Sequence, residues 1–79
     1  MTFDQRLASS IAQLPLPPRQ QEVVTLLFQG KTRHEISQEL GVSVHTVCDY
    51  IRRIYVKLDV QTTIQLLRRT LGAPAKYEV

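Results

Sequence analysis

The fold is decided by residues 32–57, which read TRHEISQELGVSVHTVCDYIRRIYVK. The first half opens with Thr32 and Glu35, the pattern of a capping box, in which each side chain accepts a hydrogen bond from the backbone N–H of the other residue. Gly41 then ends this helix, because glycine adopts the left-handed stop conformation at little cost. Ser43 follows as the N-cap of a second helix. Two helices joined by a short turn that contains glycine predict a helix-turn-helix.

The second helix, predicted over residues 44–57, carries one apolar stripe with residues three and four positions apart. The stripe consists of Val44, Val47, Ile51, Ile54 and Leu58. If the stripe is buried, the opposite face is exposed, and such a face reaches base edges when a helix enters a major groove. We call this exposed face the reading face. Base contacts are predicted at four of its residues: His45, Cys48, Asp49 and Arg52.

Hydroxyl and basic side chains surround the reading face. Some flank it on the second helix, and others lie at the start of the first helix, near the same edge. Groups of this kind bind phosphate oxygens and fix a protein on a duplex, and the backbone N–H groups at a helix start add to them. The predicted phosphate contacts are Lys31, Thr32, Arg33, His34, Thr46, Arg53 and Lys57.

Helical patterns also precede and follow this unit. One runs from about Asp4 to Gln13, and a second begins at Pro18, a favourable first residue of a helix. After the unit, Thr62 and Gln65 make another capping-box pattern. The buried stripe of this last helix is predicted to be Val60, Ile64, Leu67 and Leu71. The sequence therefore predicts an all-α fold with four short core helices, with or without an additional N-terminal helix.

Length limits the number of domains, and charge limits the kinds of partner. The chain has 79 residues, enough for one small domain. We expect residues 1–15 to form an N-terminal helix or linker, 16–72 the domain itself and 73–79 a flexible tail. The formal net charge of +3 permits a polyanionic partner without requiring one.

Cysteine usage and hydropathy favour a cytoplasmic protein. The single cysteine, Cys48, can form neither an intrachain disulfide nor a paired-cysteine metal site, which suits a reducing compartment. The first ten residues, MTFDQRLASS, include Asp4 and no apolar segment, so no secretory signal is expected. No apolar run approaches the ~20 residues of a membrane span. We expect no membrane association, no metal ion, no cofactor and no small-molecule ligand.

The ordered motifs resemble a known family. Residues 16–67 are similar to the LuxR-type, or GerE-like, helix-turn-helix domain of bacterial transcription regulators. The matching pieces are Leu16-x-Pro18-Arg19-x-x-Glu22-Val23, Gly30-x-Thr32-x-x-Glu35-Ile36-Ser37-x-x-Leu40, Val42-Ser43-x-x-Thr46-Val47, Ile54-x-x-Lys57-Leu58-x-Val60 and Leu66. The middle of the chain also resembles region four of bacterial sigma factors, but the segment 57–60 followed by a capped helix favours the LuxR type.

The resemblance implies that the chain binds double-stranded DNA sequence-specifically as a transcriptional regulator, with residues 44–57 in the major groove. It implies base contacts at Cys48, Asp49 and Arg52, with His45 nearby. It also implies a homodimer that pairs through the last helix, residues 62–71. The expected interface residues beside the predicted buried stripe are Leu66, Thr70 and Ala73.

Two residues of the reading face depart from the family. Cys48 stands where lysine is usual, so one cation contact is lost and the salt dependence of DNA binding should weaken by a slope of about 1. Asp49 adds a negative charge that either repels DNA or accepts a hydrogen bond from a cytosine amino group. The sequence leaves both roles of Asp49 open.

Two other functions remain open beside DNA binding. A drifted helix-turn-helix, whose sequence has changed so that it no longer binds DNA, would act as a protein-interaction module for a partner protein or RNA polymerase. Cys48 and Asp49 would then mark the surface that is no longer used for DNA. An enzyme is the least supported function, because the sequence has no nucleophile–base pair at catalytic spacing, no glycine-rich phosphate loop and no metal-ligand cluster. His45 lies three residues before Cys48 on the same helical face, but a chance pairing explains this spacing more simply than a reactive thiol.

Overall fold

The computed structural model describes residues 2–72, and these residues form five α-helices and no β-strand. The helices are α1 (Phe3–Ala12), α2 (Pro18–Phe28), α3 (Arg33–Leu40), α4 (Val44–Leu58) and α5 (Thr63–Leu71). The prediction of an all-α helix-turn-helix domain is confirmed, and the additional N-terminal helix is present as α1. The predicted tail, residues 73–79, lies outside the described residues.

Hydrogen bonds at the helix starts explain where the helices begin. A capping box of Thr32 and Glu35 starts α3 and Ser43 caps α4, as the sequence predicts, and a second box, of Thr2 and Gln5, starts α1. At α5 the predicted box is incomplete, because the side chain of Gln65 accepts a hydrogen bond of 2.7 Å from the N–H of Gln61 instead of Thr62. The φ angle of Thr62 is −136°, against −75° at Thr32. This more extended backbone turns the N–H of Thr62 away from the Gln65 side chain.

The core is built around α4. α2 and α3 pack against α4, α5 packs near its end, and α1 contacts both α2 and α5. All five helices and two of the segments between them contribute buried apolar side chains: Ile11, Leu14, Leu16, Val23, Val24, Ile36, Val47, Ile51, Ile54, Leu58, Val60 and Leu66. The predicted stripe of α4 is buried except at Val44, which is 38% exposed. Val44 is the first residue of α4, so its side chain lies at the end of the packed stripe.

Hydrogen bonds from one side chain to the backbone, together with apolar packing, hold α1 against the other helices. The side-chain amide of Gln21 in α2 donates to the carbonyl oxygen of Leu14 at 3.2 Å and to that of Ala12 at 3.4 Å. Ile11 and Leu14 are both buried in the shared core. The amide of Gln21 thus satisfies two carbonyls where α1 ends and the chain turns toward α2.

The predicted buried stripe of the last helix is confirmed at Val60, just before α5, but it is wrong at Ile64 and Leu71. Leu66 is fully buried and Thr70 is 7% exposed, whereas Ile64 is 69% and Leu71 is 40% exposed. The hydroxyl of Thr70 donates to the carbonyl oxygen of Leu66 at 2.7 Å, so this polar group is satisfied inside the core. Packing against α1 as well as α4 selects the face of α5 that is buried.

This orientation also corrects the predicted dimer interface. Leu66 and Thr70, two of the three expected interface residues, lie in the core of their own chain and offer almost no surface to a partner. Ala73, the third, lies outside the described residues. A partner that approaches α5 would meet Ile64 and Leu71 instead.

Candidate nucleic-acid interface

The turn between α3 and α4 has the geometry that glycine allows. Gly41 ends α3 with φ of 68° and ψ of 33°, the left-handed region in which a side chain would be strained. The N–H groups of Gly41 and Val42 both donate to the carbonyl oxygen of Ser37. This pattern closes α3 abruptly, so the chain reverses within residues 41–43 and α4 begins beside α3.

Short-range hydrogen bonds fix the start of α4. The Oγ of Ser43 accepts the N–H of Thr46 at 3.0 Å, and the two hydroxyl oxygens lie 2.9 Å apart. Thr46 is half-buried, whereas Ser43 is exposed. The cap therefore holds a hydroxyl group beside the exposed first turn of α4, where phosphate contact is expected.

The start of α3 is fixed by a charged capping box. The N–H of Thr32 donates to Oε1 of Glu35 at 2.8 Å, and the N–H of Glu35 donates to the hydroxyl of Thr32 at 3.1 Å. The hydrogen bond from the Thr32 backbone holds the pKa of Glu35 below its ordinary value, and the Thr32 side chain and the charge of Lys31 act in the same direction. Glu35 therefore serves as a structural carboxylate.

The structure brings the predicted base-contact residues together on one face of α4. His45 and Arg52 are exposed, and Cys48 and Asp49 are half-buried. These four residues line one shallow depression together with Thr46. They lie opposite the buried stripe of α4, which packs on the core, so the reading face is an outward surface on a rigidly held helix.

A second depression continues the first toward the end of α4. It joins Cys48 and Arg52 to Arg33 from α3 and to Val56, which is 76% exposed. Among the predicted phosphate contacts, Arg33 and Thr46 line these depressions. The others lie outside them: Lys31, Thr32, His34, Arg53 and Lys57.

Three of these outer residues have local hydrogen-bond or ion partners. The hydroxyl of Thr32 is engaged in the cap of α3. The ring Nε2 of His34 lies 3.3 Å from the side-chain nitrogen of Gln38. Arg53 pairs with Asp49. Lys57 is exposed in the last turn of α4, and Lys31 is half-buried.

Sequence reasoning missed residues that the chain reversal after α4 adds to the second depression. Asp59 ends α4 in the left-handed conformation, with φ of 56°, and the N–H of Val60 donates to the carbonyl oxygen of Tyr55 at 2.9 Å. This turn brings Gln61 beside Tyr55 in the second depression. The available signal was the helix stop after Leu58, but the direction of the chain beyond it depends on packing.

The electrostatics of the reading face centre on Asp49. Its Oδ2 lies 3.2 Å from Nη2 of Arg53, and its Oδ1 lies 4.0 Å from Nη1 of Arg52. The three side chains are 46%, 66% and 77% exposed in the order Asp49, Arg53, Arg52. Exposed pairs of this kind add only about 0–1 kcal/mol to stability. Their main consequence is that a carboxylate offsets part of the positive charge that α4 presents.

Two further observations concern other kinds of site. Across residues 2–72, no three His, Cys, Asp or Glu side chains come close enough together to hold a metal ion. Within the same part of the chain, each helix is too short or too polar to cross a bilayer.

The chain is similar to known proteins along most of its length. Residues 14–70 match the family model described as bacterial regulatory proteins, luxR family. The chain is 42% identical over 57 residues to the spore germination protein GerE of Bacillus subtilis, which covers 67% of this chain and 77% of GerE. It is 41% identical over 56 residues to the transcriptional regulatory protein DesR of Bacillus subtilis, which covers 71% of this chain and 28% of DesR.

A third relative matches a longer part of the chain. The chain is 38% identical over 69 residues to the probable HTH-type transcriptional regulator GfsR of Streptomyces halstedii, which covers 87% of this chain and 28% of GfsR. The chain thus spans less than a third of the length of GfsR and DesR. No solved structure matches the chain significantly.

Proposed function

The chain belongs to the luxR family of bacterial regulatory proteins, and from that premise we propose that it binds double-stranded DNA sequence-specifically, with α4 in the major groove. The observation that supports this most directly is that His45, Cys48, Asp49 and Arg52 line one open depression on the outward face of α4. A major groove about 12 Å wide accepts one helix, and the side chains on its outward face reach the base edges. Arg52 is the most exposed charged group of this face and fits the two acceptors of a guanine.

Phosphate contacts would hold α4 in register on the duplex. Arg33 and Thr46 lie at the margins of the reading face, one from each helix of the motif. Arg53 and Lys57 extend the same side of α4 with exposed cations. Lys31, Thr32 and His34 lie around the start of α3, and we propose them as outer contacts. Such contacts give affinity without sequence information, and they make binding dependent on salt.

We also propose that the protein binds DNA as a homodimer through α5. Ile64 and Leu71 are exposed, and Leu67 between them is half-buried, so one side of α5 offers a small apolar surface. A small apolar surface supports a weak dimer in the free protein, which binding to two half-sites would strengthen. Two copies would then read half-sites related by the two-fold axis of the dimer.

The relatives bear on the wider role of the protein. GfsR, DesR and GerE carry names as regulators or as a germination protein, and we propose that this chain regulates transcription in the same general sense. Contact with RNA polymerase would follow from that role. The chromosome of a bacterium lies in the cytoplasm, so we propose that localisation for the DNA-bound protein. Nothing in the proposed role requires catalysis or a cofactor.

One observation favours a second function. Asp49 pairs with Arg52 of the reading face and with Arg53 beside it, and so reduces the positive charge that α4 presents. A drifted helix-turn-helix that binds a partner protein, with little affinity for DNA, would tolerate such a carboxylate.

The test is a fluorescence anisotropy titration with a duplex selected from a random pool, repeated at several salt concentrations. The expected result is tight binding that weakens steeply with salt. Arg52→Ala should lower affinity for the selected duplex about five- to 150-fold, in line with the ~1–3 kcal/mol of a good base contact. Arg6→Ala, which removes one exposed cation from α1, is the matched control and should change little. Absence of binding to any duplex at low salt would refute the proposal and favour a protein-interaction module.

A further inference from the structure

We propose that Asp49 determines the sequence specificity of this helix-turn-helix by holding Arg52 and Arg53 away from phosphates, so that both are released only on a base sequence that offers a hydrogen bond to the carboxylate. This inference rests on the proposed binding of DNA. It assigns a role to a residue that the family resemblance treats as a departure.

The geometry supports a shared counter-ion. Arg52 and Arg53 follow Asp49 by three and four positions on α4, the two spacings at which helix side chains meet. Oδ2 of Asp49 lies 3.2 Å from Arg53, and Oδ1 lies 4.0 Å from Arg52. One carboxylate therefore lies within ion-pair distance of both arginines of α4, and each of its oxygens faces a different guanidinium.

The position of Asp49 makes this pairing relevant to DNA. Asp49 lines the same depression as His45 and Arg52, so its carboxylate would enter the groove with them. Its side chain is 46% exposed, and an ionised carboxylate has about four acceptor sites. The two arginines leave part of that capacity open toward the bases.

The chemistry of base edges then selects the sequence. Guanine presents only acceptors in the major groove, and thymine presents an acceptor and a methyl group. Cytosine presents an amino donor, and adenine presents an amino donor beside an acceptor. A carboxylate is repelled by phosphates and by acceptor-rich edges, but it accepts a hydrogen bond from an amino group. Asp49 therefore penalises sequences with guanine or thymine at the facing position and tolerates those with cytosine or adenine.

The penalty acts on non-specific binding most strongly. Non-specific affinity comes from cations that neutralise phosphates, and Arg52 and Arg53 are less available for this while Asp49 holds them. On a matching site the amino group compensates the carboxylate, and both arginines turn to the DNA. Asp49 thus raises the ratio of specific to non-specific affinity while lowering the absolute affinity.

The experiment compares the wild type with Asp49→Asn, Asp49→Glu and Glu39→Gln. Asn removes the charge at position 49 and keeps the size of the side chain, whereas Glu keeps the charge. Glu39→Gln makes the same change in net charge at an exposed position of α3 away from the reading face. Each variant is titrated with a random-sequence duplex pool and with the duplex that the wild type selects. Circular dichroism checks that each variant is folded. Each variant is also used to select its own preferred sequences from the random duplex pool.

The expected result has three parts. Asp49→Asn binds the random pool about tenfold more tightly than the wild type, and its salt slope steepens by about 1, because one more cation reaches a phosphate. Its affinity for the selected duplex changes less, so the ratio of the two affinities falls. The wild type and Asp49→Glu select cytosine or adenine at one fixed position, and Asp49→Asn loses that preference.

Several results would overturn the inference. Equal affinities of Asp49→Asn and wild type for the random pool would show that Asp49 restrains neither arginine. An equal gain in Glu39→Gln would assign the effect to net charge, and Asp49→Glu behaving like Asp49→Asn would exclude the carboxylate charge as the cause. If neither the wild type nor Asp49→Asn binds any duplex, the proposed function itself fails, whereas specific binding by both with identical selected sequences refutes only the role of Asp49.

Discussion

The hydroxyl oxygens of Ser43 and Thr46 lie 2.9 Å apart at the start of α4. The oxygen of Ser43 also accepts the N–H of Thr46 at 3.0 Å, so it serves as the cap of the helix. When the hydroxyl of Ser43 donates to Thr46, the hydroxyl hydrogen of Thr46 is left to donate to another acceptor. The first turn of α4 is therefore arranged so that one hydroxyl caps the helix and the other can bind a phosphate oxygen.

Thr46→Val should weaken DNA binding without affecting specificity. The substitution keeps the branched shape and removes one hydrogen bond from an uncharged hydroxyl to an anionic phosphate, worth about 1.5–3 kcal/mol, so affinity should fall roughly ten- to 150-fold on every duplex. The salt slope should stay unchanged, because no charge is lost. Anisotropy titrations on the selected duplex and the random pool measure both quantities.

Ser43→Ala is the control for Thr46→Val, since it removes the cap and leaves the Thr46 hydroxyl in place. It should lower the free energy of unfolding by about 1 kcal/mol. A loss of affinity confined to the selected duplex in Thr46→Val would show that Thr46 reads a base instead of a phosphate.

The capping box of α3 should make stability depend on pH. The hydrogen bond from the Thr32 backbone lowers the pKa of Glu35 in the folded chain below its ordinary value of about 4.5. A lowered folded-state pKa means that the stabilisation is complete at pH values above the ordinary pKa and is lost as pH falls through the folded-state pKa. The free energy of unfolding in urea should therefore decrease on acidification across this range.

Glu35→Gln isolates this contribution, because glutamine keeps the accepting oxygen and does not titrate. The wild type should exceed Glu35→Gln in stability near neutral pH, and the difference should shrink as pH falls below the ordinary carboxyl pKa. Parallel curves for the two proteins would mean that the carboxylate of Glu35 adds nothing to its neutral equivalent.

The end of α4 carries a strained residue that glycine would relieve. Asp59 has φ of 56°, the one positive φ at a non-glycine position in the described part of the chain. The left-handed conformation is unfavourable for residues with a side chain, and a negative charge at a helix C-terminus opposes the helix dipole. Asp59→Gly should raise the free energy of unfolding by about 0.5–1 kcal/mol, measured by urea unfolding.

Gly41→Ala is the converse of Asp59→Gly. Gly41 has φ of 68°, and a Cβ atom added there would meet no atom within 4 Å. The cost of the methyl group is then conformational alone, about 1–2 kcal/mol.

A decrease in stability on Asp59→Gly would show that the aspartate side chain makes a stabilising interaction at the end of α4.

The sequence predicted those features that depend on local interactions. The caps at Thr32 and Ser43, the stop at Gly41 and the buried stripe from Val47 to Leu58 each involve residues within one or two helical turns. The grouping of the reading face followed from that stripe, because burying one side of a helix exposes the other. Helical spacing also allows Asp49 to pair with the arginines three and four positions later. Which of them it contacts depends on side-chain conformation, which the spacing does not determine.

The buried face of α5 could not be predicted in the same way. Ile64 and Leu71 lie seven residues apart and make an apolar pattern as regular as any in the chain, yet both are exposed. Leu66 and Thr70 are buried instead, and Thr70 is a polar residue that becomes acceptable in the core only through its hydrogen bond to the Leu66 carbonyl. The choice between two faces depends on how α1 and α4 approach α5, which no local pattern contains.

The exposed side of α5 leads to a prediction about assembly. Ile64 is 69% exposed, so Ile64→Glu should leave the fold intact while placing a charge on the proposed dimer surface. Sedimentation with a duplex that carries two half-sites should show two copies of the wild type and one copy of the variant. Affinity for this duplex should fall, whereas affinity for a duplex with one half-site should stay the same.

Phe3→Glu provides the matched control, because Phe3 is 59% exposed on α1 and lies outside the proposed surface. It adds the same charge in place of an apolar side chain and should leave the two-copy complex unchanged. Leu66→Ala is the structural control: Leu66 is fully buried, so this truncation should cost about 2–5 kcal/mol of stability and act through unfolding. If Ile64→Glu still assembles as two copies on the double site while Phe3→Glu does not, the dimer forms through α1, and the exposed side of α5 serves another purpose.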